Sequence, residues 1–164
     1  MALSIDFATP NDVPLILQLI RELAEFEREA DSARATAEQL HEALFGSRPA
    51  AEAVIARIDG APAGWALWFQ NFSTWTGRPG LWLEDLYVRP QYRRQGIGRA
   101  LLGYLAQLCI DRGYGRFEWS VLDWNTPAVE FYKAIGAEAM SGWTTQRVTG
   151  EALSRLAEID LRDS

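Results

Sequence analysis

The chain has 164 residues, 48% of them apolar, and a formal net charge of −6. This composition is typical of one globular domain and argues against a disordered chain and against nucleic acid as the main partner. One cysteine, Cys109, and one histidine, His41, exclude an internal disulfide and predict that there is no metal site. No apolar run could span a bilayer, and "MALSIDFATPND" lacks a secretory pattern, so we expect a cytoplasmic protein with no membrane partner.

The pattern of apolar residues predicts strands and helices in alternation along the whole chain. In chain order these are a strand at "LSIDFA", a helix opening at Thr9, a helix opening at Thr36 with a capping box completed by Gln39, strands at "AAEAVIARI", "APAGWALWFQNF" and "LWLEDLYV", a long helix after "QGIG" that stops at Gly113, a strand at "RFEWSVL", a helix capped by Asn125, a strand at "GWTTQRVT", and a last helix at "GEALSRLAEI". Neither an internal repeat nor a linker interrupts this order. The chain is therefore predicted to be a single α/β domain over residues 1–164.

The most informative stretch is "RRQGIGRALL", which joins a strand to the long helix. The first turn of a helix has N–H groups without partners and a partial positive charge, and glycine lets a ligand approach the main chain. Arg93, Arg94 and Arg99 add positive charge around Gly96 and Gly98. The junction predicts a phosphate or pyrophosphate site, although a surface turn with solvated arginines would show the same letters.

Comparison with known phosphate loops narrows the ligand. A dinucleotide fold would have a third glycine where Leu101 stands, and a Walker motif would have a Gly-Lys-Ser or Gly-Lys-Thr run, which is absent. The pattern that fits is Arg/Gln-x-x-Gly-x-Gly/Ala, written here from Arg93 to Gly98. It resembles the pyrophosphate loop of the GNAT acetyltransferases, which use acetyl-CoA.

The resemblance extends over nearly the whole chain. The stretches "IRELAEFE", "LEDLYVRPQYRRQGIGRALL", "VLDWNTPAVEFYKAIGA" and "GWTTQRVTGEALSRLA" are similar, in order, to the diamine (spermidine/spermine) and thialysine acetyltransferases. The resemblance implies an α+β fold with a mixed, mostly antiparallel sheet, flanked by helices and splayed to admit acetyl-CoA. It also implies a homodimer. The cofactor-binding residues implied are Leu86, Tyr87, Val88, Arg93, Arg94, Gln95, Gly96, Ile97, Gly98, Arg99, Asn125, Ala128 and Tyr132.

Two side chains are assigned catalytic roles on this resemblance. The family position of Glu84 lies at the amine site and is associated with removing the proton of the amine, and that of Tyr132 protonates the departing thiolate. From the residues alone, Glu84 would fit a structural ion pair and Tyr132 a core aromatic, and Asn125 would fit a helix cap. Asp85, adjacent to Glu84 on a strand, points to the opposite face and is interpreted as structural. Cys109 is interpreted as core packing.

The acceptor is predicted to be a small cationic primary amine. The residues that match the family's amine site are Phe26, Glu27, Glu84, Glu118, Trp119 and Ser120. Phe26 lacks the hydroxyl of the tyrosine often found there, and Ser141 stands where an acid often precedes Gly-Trp, so a short diamine or a lysine-like amino acid fits better than a long polyamine. Two alternatives stay open: a GNAT enzyme for another acceptor, such as a protein N-terminus or an antibiotic amine, and a non-catalytic module that binds acetyl-CoA.

Overall fold

The computed structural model describes residues 2–158. Its helices and strands, in chain order, are β1 (Leu3–Phe7), α1 (Val13–Phe26), α2 (Ala37–Phe45), β2 (Glu52–Ile58), β3 (Ala61–Ser73), β4 (Arg78–Val88), α3 (Ile97–Arg112), β5 (Phe117–Trp119), α4 (Thr126–Ala134) and α5 (Gly150–Ala157). These elements fall into two compact units, one ending at Ser120 and the other beginning at Val121. The single domain predicted over residues 1–164 stays a prediction.

The first unit contains one five-stranded sheet in the order β1-β2-β3-β4-β5. The first four strands pair antiparallel, and β5 pairs parallel to β4. Asp59 and Gly60 form the tight turn between β2 and β3, and both have the positive φ that such a two-residue turn requires. The predicted α+β fold with a mixed, mostly antiparallel sheet is confirmed.

Polar side chains fix the starts of the first two helices. The carboxylate of Asp12 accepts the backbone N–H of Thr9 at 2.8 Å and closes a 3-10 turn that runs directly into α1. At α2, the backbone N–H of Gln39 donates to the Thr36 hydroxyl at 3.2 Å, and the side-chain Oε1 of Gln39 accepts the backbone N–H of Thr36 at 3.0 Å. This reciprocal pair is the capping box that the sequence predicts.

Helices cover both faces of the sheet, and two tryptophans mark the two layers. Trp65 and Trp68 are fully buried and lie an odd number of residues apart on β3, so they point to opposite faces. Trp65 packs in the core formed with α1 and α2, which includes Ile16 and Leu19. Trp68 contacts Phe7, whose ring also meets Tyr104 of α3.

The end of α3 is tied to the sheet by an ion pair. Arg112 donates to both carboxylate oxygens of Glu52, at 2.6 and 2.9 Å, and Glu52 also accepts the indole N–H of Trp68. The Arg112 guanidinium therefore lowers the pKa of the Glu52 carboxyl. Gly113 then ends the helix with a positive φ, as predicted.

The second unit contains α4 and α5, and it corrects one prediction. Residues 142–149, "GWTTQRVT", were predicted as a strand, but they have no regular secondary structure. Trp143 and Val148 lie five residues apart, so in a strand their side chains would point to opposite faces. Such a strand would have no apolar face to pack against the rest of the protein. The helix predicted after this segment is present as α5, and the strand predicted at "RFEWSVL" is confined to the three residues of β5. Among residues 2–158, no helix is long and apolar enough to cross a membrane.

Candidate active site

Strand β4 carries a one-residue bulge at Glu84. Leu67 of β3 pairs with Asp85, and the next residue, Trp68, pairs with Leu83, so Glu84 is left over between the two pairs. An extra residue of this kind bends the strand and changes the direction of the groups that follow it. The bulge therefore lies at the glutamate that the sequence assigns to catalysis.

Hydrogen bonds on either side of the bulge show its effect on the backbone. The N–H of Leu81 donates toward β5, to the carbonyl of Arg116 at 2.9 Å, whereas the N–H of Arg89 donates to Ala63 beside β3 at 2.8 Å. Residues 81 and 89 are an even number of positions apart, so in a regular strand both groups would point the same way. The extra residue reverses the alternation between them.

The reversal leaves part of β4 with an open edge. Counting back from Arg89, the peptide groups of Leu86 and Val88 point away from β3. β5 pairs with β4 only as far as Leu83, so in the unit that ends at residue 120 no strand pairs with this stretch of the edge. This is the splayed arrangement expected from the sequence, and it presents backbone donors and acceptors to a ligand.

The side chain of Tyr87 does not face that edge. It is 6% exposed and lies in the core, and its hydroxyl donates to Glu22 at 3.2 Å. Burial, reinforced by the Glu22 carboxylate, raises the pKa of Tyr87. Its peptide group points toward β3, as that of Arg89 does two residues later. The predicted contact of Tyr87 with the cofactor stays a prediction.

The loop after β4 ends in the first turn of α3. Arg94 and Gly96 both have positive φ, 64° and 81°, so the chain turns sharply into the helix. The first helical N–H to find an acceptor is that of Ala100, which donates to Gly96 at 2.9 Å, and the N–H groups of Ile97, Gly98 and Arg99 precede it.

The space over this turn is open. A Cβ built on Gly96 would have no atom within 4 Å, and one built on Gly98 would meet only Val88, at 3.9 Å. The start of α3 therefore lies beside the end of β4, with room above the free N–H groups. This geometry suits a pyrophosphate on the turn and an extended chain along the β4 edge. Gln95, also assigned to this loop, directs its side chain to the carbonyl of Gln91 at 3.5 Å.

Arg93 leaves the loop in another direction. Its Nε donates to the carbonyl of Val88 at 3.0 Å, and its guanidinium lies 4.8 Å from the centre of the Phe26 ring and 5.8 Å from that of Tyr87. The side chain that the sequence assigns to the cofactor thus contacts a residue that it assigns to the amine. Of the other two arginines assigned to the cofactor, Arg94 lies in the loop and Arg99 in the first turn of α3.

A group of carboxylates lies where the end of α1 meets β4. Asp85 is partly buried, and its pKa is raised to about 6 by burial and then by the nearby charges of Glu84 and Glu27. Burial also raises the pKa of Glu27, with Glu29 adding to the effect. Within residues 2–158, neither Asp85 nor Glu27 forms a salt bridge. Crowded carboxylates without a cation indicate a site for a cationic ligand.

Sequence reasoning placed Glu27 and Glu84 in this group and missed Asp85. The adjacent-residue rule separated Asp85 from Glu84 by face, but no local signal shows that Glu27, 58 positions earlier, approaches Asp85. The three carboxylates are not arranged as metal ligands, since no group of three such side chains among residues 2–158 could hold an ion.

The other predicted acceptor residues lie on or after β5. Glu118 pairs with Trp82 of β4, and the Trp82 indole N–H donates to Glu84 at 3.2 Å, so Trp82 connects Glu118 with Glu84 along the sheet. Trp119 is partly buried, and Phe117 packs edge-on against it. Ser120 is exposed at the end of the unit.

The remaining predicted residues belong to α4, in the second unit. Asn125 caps the helix, its side-chain oxygen accepting the N–H of Ala128 at 3.4 Å. Tyr132 lies one turn after Ala128 and is partly buried, and the Phe131 ring lies 5.7 Å from it. Asn125, Ala128 and Tyr132 are thus ordered along one short helix, and their catalytic and cofactor roles stay predictions.

Comparisons with known proteins show the family and the fold of the chain. A model described as the acetyltransferase (GNAT) family matches residues 16–137. A thialysine N-epsilon-acetyltransferase of Sus scrofa is 40% identical over 161 residues, covering 92% of this chain and 94% of that protein. An L-ornithine N5-acetyltransferase of Arabidopsis thaliana is 30% identical over 202 residues, covering 96% and 89%. Among solved structures, an integron cassette protein of Vibrio cholerae has a TM-score of 0.81 at 24% identity, covering 97% of this chain and 99% of that one, and shows the shared fold.

Proposed function

The chain belongs to the GNAT acetyltransferase family and is an N-acetyltransferase that uses acetyl-CoA, and we propose that its acceptor is a small cationic primary amine. The finer proposal is that this acceptor is the side-chain amine of a lysine-like amino acid or a short diamine. The observation that carries it is the pair of partly buried carboxylates Glu27 and Asp85, which lie near each other and form no salt bridge within residues 2–158.

Acetyl-CoA would supply the reactive acetyl thioester, and the chain offers it two kinds of contact. The turn at Gly96 and the first N–H groups of α3 fit the pyrophosphate, with Arg94 and Arg99 adding charge. The open edge of β4 at Leu86 and Val88 fits the amide groups of an extended arm. One N–H on that edge would also donate to the carbonyl oxygen that becomes negative during transfer.

The amine must lose a proton before it can attack. An alkylamine has a pKa of about 10.4, so at neutral pH it arrives as a cation. We assign Glu27 and Asp85 to hold that cation, and Glu84, which is exposed beside them at the bulge, to accept its proton directly or through water. Tyr132 would donate a proton to the coenzyme A thiolate. The homodimer and the cytoplasmic setting are carried over as predictions.

The names of the relatives favour the lysine-like class. The two relatives are named for thialysine and ornithine, which are amino acids whose side chains end in a primary amine. The departures at Phe26 and Ser141 from the polyamine enzymes agree with an acceptor that has fewer positive charges.

A panel of amines tests the proposal. Acetyl-CoA would be incubated with the protein and thialysine, lysine, ornithine, putrescine or spermidine, and thiol release would be measured. We expect turnover with at least one amino acid or short diamine, and a higher KM in Glu27→Gln. Glu25→Gln, at an exposed position of the same helix, is the matched control and should behave as wild type.

Three outcomes would contradict the proposal. Turnover on none of the five amines, with normal binding of acetyl-CoA, would favour another acceptor or a non-catalytic module. A preference for spermidine over every amino acid would contradict the lysine-like class. An equal change of KM in Glu27→Gln and Glu25→Gln would remove Glu27 from the amine site.

A further inference from the structure

Arg93 bridges the cofactor edge and the acceptor end of the site. It belongs to the phosphate-loop motif, yet its Nε donates to the carbonyl of Val88 and the guanidinium lies over Phe26. An arginine that gives its Nε–H to a backbone carbonyl and its flat face to a ring has its position fixed by both. An arginine whose main role is to bind phosphate would instead keep its guanidinium available to the ligand.

One end of this bridge lies in the cofactor region. The carbonyl of Val88 points to the open side of β4. Arg93 therefore donates its Nε–H to the last backbone acceptor on that open edge. Only Arg94 and Gln95 separate Arg93 from Gly96, where the phosphate turn begins, and Arg94 is held at a positive φ of 64°. A ligand that orders the turn must therefore also order the backbone that carries Arg93.

The other end lies at the last turn of α1. The Phe26 ring is 42% exposed, so the core does not hold it on all sides, and the Arg93 guanidinium covers part of the remaining surface. Glu27 follows directly, and Arg28 leaves the helix at a positive φ of 62°. The position of Glu27, and with it the spacing to Asp85, depends on how well this last turn is held.

We propose that Arg93 is a positioning residue through which binding of the cofactor orders the amine site. The proposal rests on the proposed function, because it takes the turn at Gly96 as the pyrophosphate site and Glu27 as an amine contact. Ordering of the loop by the pyrophosphate fixes Arg93, Arg93 fixes Phe26, and the Glu27 carboxylate is then held for the ammonium group. Coenzyme A and the amine are therefore expected to bind with positive coupling.

Hydrogen exchange of the full-length protein tests the link without relying on catalysis. Backbone exchange of residues 23–29 would be measured with and without saturating coenzyme A in wild type, Arg93→Ala and Arg93→Lys. Arg21→Ala removes the same charge from an exposed position on α1 and is the matched control. Calorimetry with coenzyme A would establish saturation for each protein.

We expect coenzyme A to slow exchange of residues 23–29 in wild type and in Arg21→Ala. The slowing should be lost in Arg93→Ala and also in Arg93→Lys, because lysine keeps the charge but lacks the planar group that bonds Val88 while stacking on Phe26. Coenzyme A affinity should change little in both Arg93 variants. The KM of the amine should rise at least about fivefold, the low end of typical coupling between sites, with kcat changed less.

Opposite results would overturn the link. If coenzyme A protects residues 23–29 equally in wild type and Arg93→Ala, or in neither protein at saturation, Arg93 does not connect the two regions. If Arg93→Ala loses coenzyme A affinity and Arg93→Lys restores it, Arg93 is a phosphate ligand. A wild-type protein that shows the protection but acetylates no amine would contradict the proposed function and leave the link standing.

Discussion

Replacing Asp85 by asparagine should make the protein more stable at neutral pH and less active. Asp85 has a folded-state pKa of about 6, against an ordinary value of 3.8, because burial and the charges of Glu84 and Glu27 disfavour its ionised form. The folded protein therefore holds a proton on Asp85, between about pH 4 and pH 6, that the unfolded chain has released. Stability is lost as the pH rises through this window, and above it the loss is complete.

The size of the effect follows from the two pKa values. The difference between 3.8 and about 6 corresponds to about 3 kcal/mol at pH 7.5, which is an upper limit because the buried asparagine amide also needs hydrogen-bond partners. We expect Asp85→Asn to gain about 1–2 kcal/mol over wild type between pH 4.5 and pH 7.5, with most of that gain developing between pH 4.5 and pH 6 and little above it.

Urea unfolding at pH 4.5, 6 and 7.5 would measure this gain. Glu25→Gln, an exposed change on α1, serves as the control and should follow wild type at every pH. A gain that is independent of pH, or a variant less stable than wild type at pH 7.5, would refute the view that Asp85 is a strained carboxylate. The same variant should raise the KM of the amine, since the strain reflects a missing cation that the acceptor supplies.

Other residues of the site give further expected outcomes. Gly96→Asp with Gly98→Asp should abolish measurable coenzyme A binding by calorimetry, because both carboxylates would enter the open space over the turn and repel the pyrophosphate, and unchanged affinity would show that the turn is not its site. Tyr132→Phe should lower kcat by roughly 10²–10⁴-fold with coenzyme A affinity kept, and normal turnover would make Tyr132 a packing residue. Glu84→Gln should lower kcat/KM most near pH 7, and the defect should shrink toward about pH 10, because neutral amine is then present without a base. If the ratio of kcat/KM between wild type and Glu84→Gln does not change with pH, Glu84 is not the proton acceptor.

Local chemistry was readable from the sequence wherever the determining residues are neighbours in the chain. The capping box at Thr36 and the turn at Asp59 and Gly60 depend on contacts within four residues, and both are present. The glycines at the start of α3 predicted a helix start open to a ligand, and the structure has one. The resemblance to the GNAT family and to its thialysine acetyltransferases is confirmed.

Features that depend on distant pairing were not readable. The bulge at Glu84 contains no glycine or proline, and it appears only when the register of β4 on β3 is known. Asp85 was interpreted as structural from its adjacency to Glu84, and its approach to Glu27, 58 positions earlier in the chain, leaves no local signal. The direction of the Arg93 side chain likewise depends on the position of Phe26, which the motif does not contain.

The open edge of β4 has a consequence for how enzymes of this kind diversify. Its peptide groups at Leu86 and Val88 are the same whatever side chains those residues carry, so the proposed recognition of acetyl-CoA by this main chain would tolerate sequence change there. The acceptor, in contrast, is proposed to contact side chains such as Asp85 on the same strand. In the proposed site, one strand would therefore recognise acetyl-CoA through main-chain groups that mutation does not alter and the acceptor through side chains that a single codon changes, so a new acceptor specificity could evolve without loss of acetyl-CoA binding.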